Sequence, residues 1–228
     1  NERNQVLDAS MWIATDDPGQ YSVNLASPKT TDMLSLRLID DTGLGFFDES
    51  REVACRRAAW YSAATILQRA IALELDVDSL AIEIASVHKY LSASGEQGAE
   101  LYLADDHPNG AGLVEWANSN WTNILQGILS ASGPASRLGR LIRDECKRSQ
   151  AENLAWRSPD ILLKGFRNRQ LHGLIDWRLG LELLAAMQDK AYVPGLTPLF
   201  EGWNLGLPSW SQFTGTLADN YCAAFGVT

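Results

Sequence analysis

Apolar and polar residues alternate through MLSLRLID (33–40), the period of a half-buried strand, and the turn-like DDTGLG follows. ESREVACRRAAWYSAATILQRAIALELDV (49–77) is rich in helix formers and predicts a long amphipathic helix, with Val53, Ala54, Ala58, Tyr61, Ile66 and Ala70 among its buried positions. SLAIEIASVHKYL (79–91) predicts a strand, SASGEQG (92–98) a hairpin connection, and AELYLAD (99–105) the returning, antiparallel strand. DDHPNGAGLVEWANSNWTNILQGIL (105–129) places a Pro-Asn-Gly-Ala-Gly turn before a helix. Asn109, Gly110 and Gly112 are the turn's structural positions, where the backbone can take positive φ, and N–H groups at the helix start can hold an anion. Beyond Gly133-Pro134 the pattern is helical to about Asn153 and breaks at RSPD (157–160). From Leu171 to Met187, Leu174, Trp177, Leu181 and Leu184 form one buried stripe, with Arg178 and Glu182 paired on the exposed side. Pro194 to Pro208, rich in Gly, Pro and Trp, is expected to wrap over the surface, with a short helix near 216–225. These elements predict an α+β fold, a small antiparallel sheet with several packed helices, whose strand order the pattern does not determine.

At 228 residues and 46% hydrophobic content, the chain can bury a substantial core. Its formal net charge of -9 argues against an autonomous, nonspecific nucleic-acid binder. With no signal peptide and no apolar run long enough to span a bilayer, it is expected to be cytoplasmic, without a membrane partner. The start at Asn1 suggests a piece of a longer polypeptide. Cys55, Cys146 and Cys222 have neither disulfide-framework nor zinc spacing, and His88, His107 and His172 are equally scattered. Asp105, Asp106, His107 and Glu115 can be drawn as a metal or acid-base cluster, although Asp before Pro and Gly is ordinary turn chemistry.

Charge distribution changes the picture more than charge total. Between Arg137 and Arg178 stand ten Lys or Arg against five Asp or Glu, net +5, which leaves nine cations and 23 acids, net -14, elsewhere. Its last stretch, KGFRNRQLHGLIDWRLG (164–180), packs four cations and a histidine around one acid. Either one surface faces a polyanion, or these cations lie on solvated helix faces paired with Glu145, Glu152 and Asp176. Trp60, Trp116, Trp177 and the tail tryptophans are read as core rather than as base-stacking platforms.

KGFRNRQLHGLIDWRLGLELL (164–184), with LYLADDHPNGAGLVEW (101–116), SPKTTDMLSLRL (27–38) and AAWYSAATILQRAIALELDVDSLAIEI, resembles the MrfA-type zinc-binding carboxy-terminal domain of DEAD/DEAH helicase-like proteins. Such domains occur in bacterial DNA repair and in anti-phage defence systems such as DISARM and Druantia. The resemblance spans roughly residues 27 to 187 and is most specific in the Arg-Asn-Arg-Gln-x-His-Gly-x-x-Asp-Trp-Arg-x-Gly run. It implies three parts: a leading segment (1–26), a helicase-associated accessory domain (27–193) and a Gly/Pro/Trp-rich tail packing on it (194–228). The relatives' zinc cysteines fall near Ala155, Pro159 and Leu162, none of them a cysteine. One remnant thiol, Cys146, cannot hold zinc, so a zinc-less variant without a cofactor is expected.

The resemblance implies an accessory role beside a helicase motor, in cis or as a separate subunit, supporting assembly and guiding DNA. Lys164, Arg167, Arg169 and Arg178 would contact phosphates, with Asn168, Gln170 and His172 as polar contacts or cap elements. Asp176 would orient Arg178 or Arg169, beside Trp177. Against this stands an internal scaffold, in which an Arg-Asp network pins a loop to a helix and the chain is a protein–protein interaction module without DNA contact. An enzyme is the third class, and no nucleophile–base pairing in the sequence favours it.

Overall fold

The computed structural model describes residues 29–39, 51–91, 97–130, 134–152 and 158–195, with isolated positions at 199, 203, 210, 212 and 215; of residues 39, 51–55, 91 and 97 only the backbone is described. The leading segment, the turn at 40–45, the middle of the hairpin connection, Ala155 and the helix expected near 216–225 lie outside them. Three strands, β1 (Met33–Ile39), β2 (Ile82–Leu91) and β3 (Gln97–Asp105), form an antiparallel sheet in the order β1-β3-β2. Five helices are described: α1 (Arg51–Leu75), α2 (Leu113–Ser119), α3 (Trp121–Leu129), α4 (Arg137–Ala151) and α5 (Trp177–Gln188). The fold is α+β.

β3 is central because its sequence alternates for it. Ala99, Leu101 and Leu103 are fully buried on one face, while Glu100 and Tyr102 face the other. On that second face Glu100 is opposite Arg37 on β1 and His88 on β2. A β-bulge at Ala85 shifts the register of β2, which is an edge strand.

α1 is buried on more sides than the expected amphipathic helix would be. Ala58, Trp60, residues 62–67 and residues 70–72 are all buried, leaving Tyr61 only partly so. A helix apolar nearly all round requires partners on several sides, and α1 has them: it touches α5, α4, β2 and β3. Its closest neighbour is α5, where a Cβ on Gly180 would stand 2.6 Å from Ile66 Cδ1 and 2.9 Å from Ser62. Small residues on both helices set that approach.

Three boundaries differ from the pattern. The strand expected from residue 79 begins with a 3-10 turn at Ser79–Ala81, whose N-cap Asp78 accepts the Leu80 N–H. The helix expected over 113–129 is two helices divided at Asn120. RSPD continues into a 3-10 turn, Ser158–Leu162, and the helix expected from Leu171 starts only at Trp177. Residues 169–171 form a 3-10 turn instead, because Asp176 caps α5 by accepting the N–H groups of Arg178 and Leu179 at 3.0 and 3.2 Å. Asp160, buried on the preceding turn, takes the Trp177 N–H at 2.8 Å, so two carboxylates satisfy the first turn. Among the described residues no helix is long and apolar enough to cross a membrane.

Candidate functional site

The loop between the Ser158–Leu162 turn and α5 carries most of the signature run, and it is shaped from within. Asn168 Oδ1 accepts the Gly165 N–H at 2.8 Å while its Nδ2 donates to Leu163 O at 2.9 Å. His172 Nε2 lies 3.0 Å from both Gly165 O and Asn168 Oδ1. Both neighbours are acceptors, so Nε2 carries the proton and closes the loop on itself. Asn168 and His172 are therefore clamps, their polar atoms already committed inside the loop.

The cations of the run divide. Arg167 and Arg169 are exposed, as is Gln170. Arg167 Nη1 lies 3.8 Å from Asp106 and Arg169 sits 5.6 Å from the ring of Phe166, itself 83% exposed. Lys164 is half-buried, 4.0 Å from Asp160. Arg178 corrects the sequence reading twice. It is only 2% exposed and Glu182 is buried as well, so neither lies on an exposed helix face and Arg178 is out of reach of a phosphate. Burial lowers the Arg178 pKa, and the nearby Glu182 and Asp176 carboxylates oppose that shift. The guanidinium stacks 4.3 Å over Trp210, whose Nε1 donates to Glu182, which also accepts from Tyr192 Oη and the Gly195 N–H. This network fastens the start of the tail to α5, and Trp203 is fully buried. Trp60 and Trp177 are fully buried as expected, Trp116 partly.

Elsewhere the island is also answered internally. The Arg137 side chain reaches Leu73 O and Asp76, and its backbone N–H donates to Glu74. Arg148 binds Glu145 and Glu152, and Glu145 accepts from Ser158 as well. Those hydrogen bonds, first from Arg148 and then from Ser158, hold the Glu145 carboxyl below its ordinary pKa against the effect of burial.

The Asn109-Gly110-Ala111-Gly112 turn has the positive φ values expected of it: 67° at Asn109, 78° at Gly110 and 75° at Gly112. Its anion site, however, is filled by the chain. Asp105, fully buried, accepts the N–H groups of Ala111, Leu113 and Val114 at 2.6, 3.1 and 3.0 Å. Gly110 is needed for space too, since a Cβ there would stand 2.0 Å from Asp32 Oδ2. Asp106 turns away to Lys29, so Asp105, Asp106, His107 and Glu115 do not converge, and among the described residues no cluster of metal-ligating side chains occurs. At the positions where the resemblance would place zinc cysteines, Pro159 is buried and Leu162 packs on the core, side chains that offer no donor to zinc. Cys146 is buried on α4, and burial pushes its thiol up to about 12, a protonated state unsuited to metal binding.

The sequence did not single out two further features. On the outer sheet face Ser86 Oγ meets His88 Nδ1 at 2.8 Å and His88 Nε2 lies 3.5 Å from Glu100, the order of a serine–histidine–carboxylate relay. Glu100 is already bound by Arg37 and Ser35, and His88 is 47% exposed on an open face, where water screens any charge a relay would stabilise. Burial raises the Glu100 pKa, but the Arg37, Tyr102 and Ser35 hydrogen bonds outweigh it, and the net shift is downward. The second feature is a groove of about 820 Å³ between the free edge of β2 and the signature loop. Residues 82–87 line one wall, Phe166, Arg167 and Gln170 the other, and Arg69 of α1 lies within it. The alternation of β2 marks no groove, and nothing around Arg69 separates it from the other cations of a long helix; the signal is spatial. No family model, curated protein or solved structure matches the chain.

Proposed function

We propose that the chain is an accessory domain of a helicase-like DNA repair or anti-phage defence protein, and that it works by docking to a protein partner rather than by chemistry. One observation carries this: Asn168, His172, Asp176, Trp177 and Arg178 of the signature run all serve internal architecture, while the loop they brace forms one wall of an open groove. A loop braced from within presents a preorganised surface, which lowers the entropic cost of association. The helicase motor, in cis or as a separate subunit, is the partner that the sequence resemblance suggests. Zinc has no part in this reading, and elemental analysis should find far less than one equivalent.

DNA guidance remains the second reading, favoured by Arg167, Arg169 and Gln170 standing exposed beside Phe166 on one loop. Fluorescence anisotropy with single-stranded and duplex DNA across a salt series separates the two. Docking predicts no binding by the chain at low salt and a salt-tolerant association with the helicase motor subunit. Salt-steep binding that disappears in a folded Arg167→Ala/Arg169→Ala variant would overturn docking in favour of DNA guidance.

A further inference from the structure

Arg69 stands where the large groove meets a second recess of about 300 Å³. Its Nη1 donates to Ser79 Oγ at 2.8 Å, and its Nε is buried without a hydrogen-bond partner. A Cβ on Gly165 would lie 2.9 Å from Nη2, so glycine at that position of the signature run makes room for the guanidinium. Among the described residues no carboxylate pairs with Arg69. The acids of the groove differ. Asp78 caps the Ser79–Ala81 turn, and Glu83 and Asp106 share Lys29 at 2.9 and 3.2 Å. Asp78 also lacks a cation but is exposed to solvent, so among the described residues Arg69 is the part-buried charge of the groove without a counter-ion.

Beyond Arg69, Asp78 and Ser79 the smaller recess is lined by apolar side chains. Leu73, Val77, Leu138, Leu141 and Leu162 line it, and Leu141 is 45% exposed. We propose that this junction docks a partner-protein segment bearing an acidic side chain beside a large aliphatic one. The carboxylate takes the Arg69 Nη groups and the aliphatic side chain covers Leu141 and fills the recess. A guanidinium fork suits a carboxylate, and desolvation in a groove strengthens the pair. A phosphate backbone suits the site less, because it offers nothing to the aliphatic side chains of the smaller recess.

The inference rests on the docking reading, and its test separates the two. A displayed library of random heptapeptides is panned against the full chain and against Arg69→Gln, Gly165→Ala and Leu141→Asp variants, each checked for an unchanged urea midpoint. The wild-type chain should enrich peptides with Asp or Glu within two positions of Leu, Ile or Met. Arg69→Gln should weaken binding of the best peptide by about tenfold or more, the scale of one charge-assisted hydrogen bond. Gly165→Ala, which keeps the charge but displaces the guanidinium, should weaken it less. Leu141→Asp should abolish the aliphatic preference. Enriched peptides without an acid, or an acid preference that survives Arg69→Gln, would overturn the inference and leave docking standing. An absence of enriched peptides while the helicase motor subunit still binds would do the same, and failure of both would remove the docking reading as well.

Discussion

Residues 164–172 and 176–184 adjoin in one run, and both are rich in polar side chains, yet they pack in opposite ways. In the first stretch Arg167, Arg169 and Gln170 project outward from a loop whose hydrogen bonds, through Asn168 and His172, close on its own backbone. In the second, Asp176, Arg178 and Glu182 are buried with Trp177 against α1 and the start of the tail. The difference teaches that charge density along a chain does not report a charged surface. A helix lying on α1 buries whatever its inner face carries, whereas a loop that satisfies its own backbone leaves its long side chains in water.

Breaking the buried half should have the largest effect. Arg178→Ala takes the nearby cation from the buried Glu182 carboxylate, leaving it only its hydrogen bonds from Tyr192, Gly195 and Trp210, and should cost about 3 kcal/mol of unfolding free energy, read by urea denaturation. Trp210 fluorescence should change with it, since the guanidinium stacks on that ring. Asp105→Ala comes next. It removes the acceptor of three backbone N–H groups at the start of α2 and should cost about 2 kcal/mol, with faster amide exchange at Ala111, Leu113 and Val114.

A smaller effect is pH-dependent. The carboxyls of Glu145 and Glu100 are depressed in the folded state. Each therefore contributes stability that is fully present above its unfolded pKa, near about 4.3, and is lost as pH falls through the lower folded value. Arg148 and Arg37 are 48% and 40% exposed, so solvent screens both pairs and each contribution should stay at or below about 1 kcal/mol. Glu145→Gln should flatten the acid limb of the stability curve between about pH 4 and 3; an unchanged limb would show that the Arg148 and Ser158 contacts do not persist in solution. The smallest effect belongs to the exposed half. Arg167→Ala/Arg169→Ala should move stability by less than about 0.5 kcal/mol, and a larger loss would mean the loop depends on its charges.

Much of the fold was legible. The alternation of β1 and β3, the hairpin pairing of β2 with β3, the positive φ at Asn109, Gly110 and Gly112, and the burial of Trp60 and Trp177 all follow from local pattern. The misread parts share one cause. The pattern predicts an amphipathic α1, yet even Ser62 and Thr65 are buried, Ser62 taking the Asp176 N–H and Thr65 donating to Tyr61 O. The start of α5 was placed six residues early because Leu171 and Leu174 fit its period. Capping by Asp160 and Asp176, one of them 17 residues away from the N–H it accepts, outweighs that period.

The sequence by itself determined the elements and the turn glycines, because these depend on side-chain period and backbone freedom within a few residues. Only the tertiary structure decided which charges are inside. Asp105 turned onto its own helix start, Arg178 and Glu182 closed over the tail, and Arg69 was left in a groove without a carboxylate paired to it, across from Gly165. A charge is compensated by whichever group the fold brings within a few ångströms, and for Arg69 and Gly165 that meeting spans 96 positions of chain.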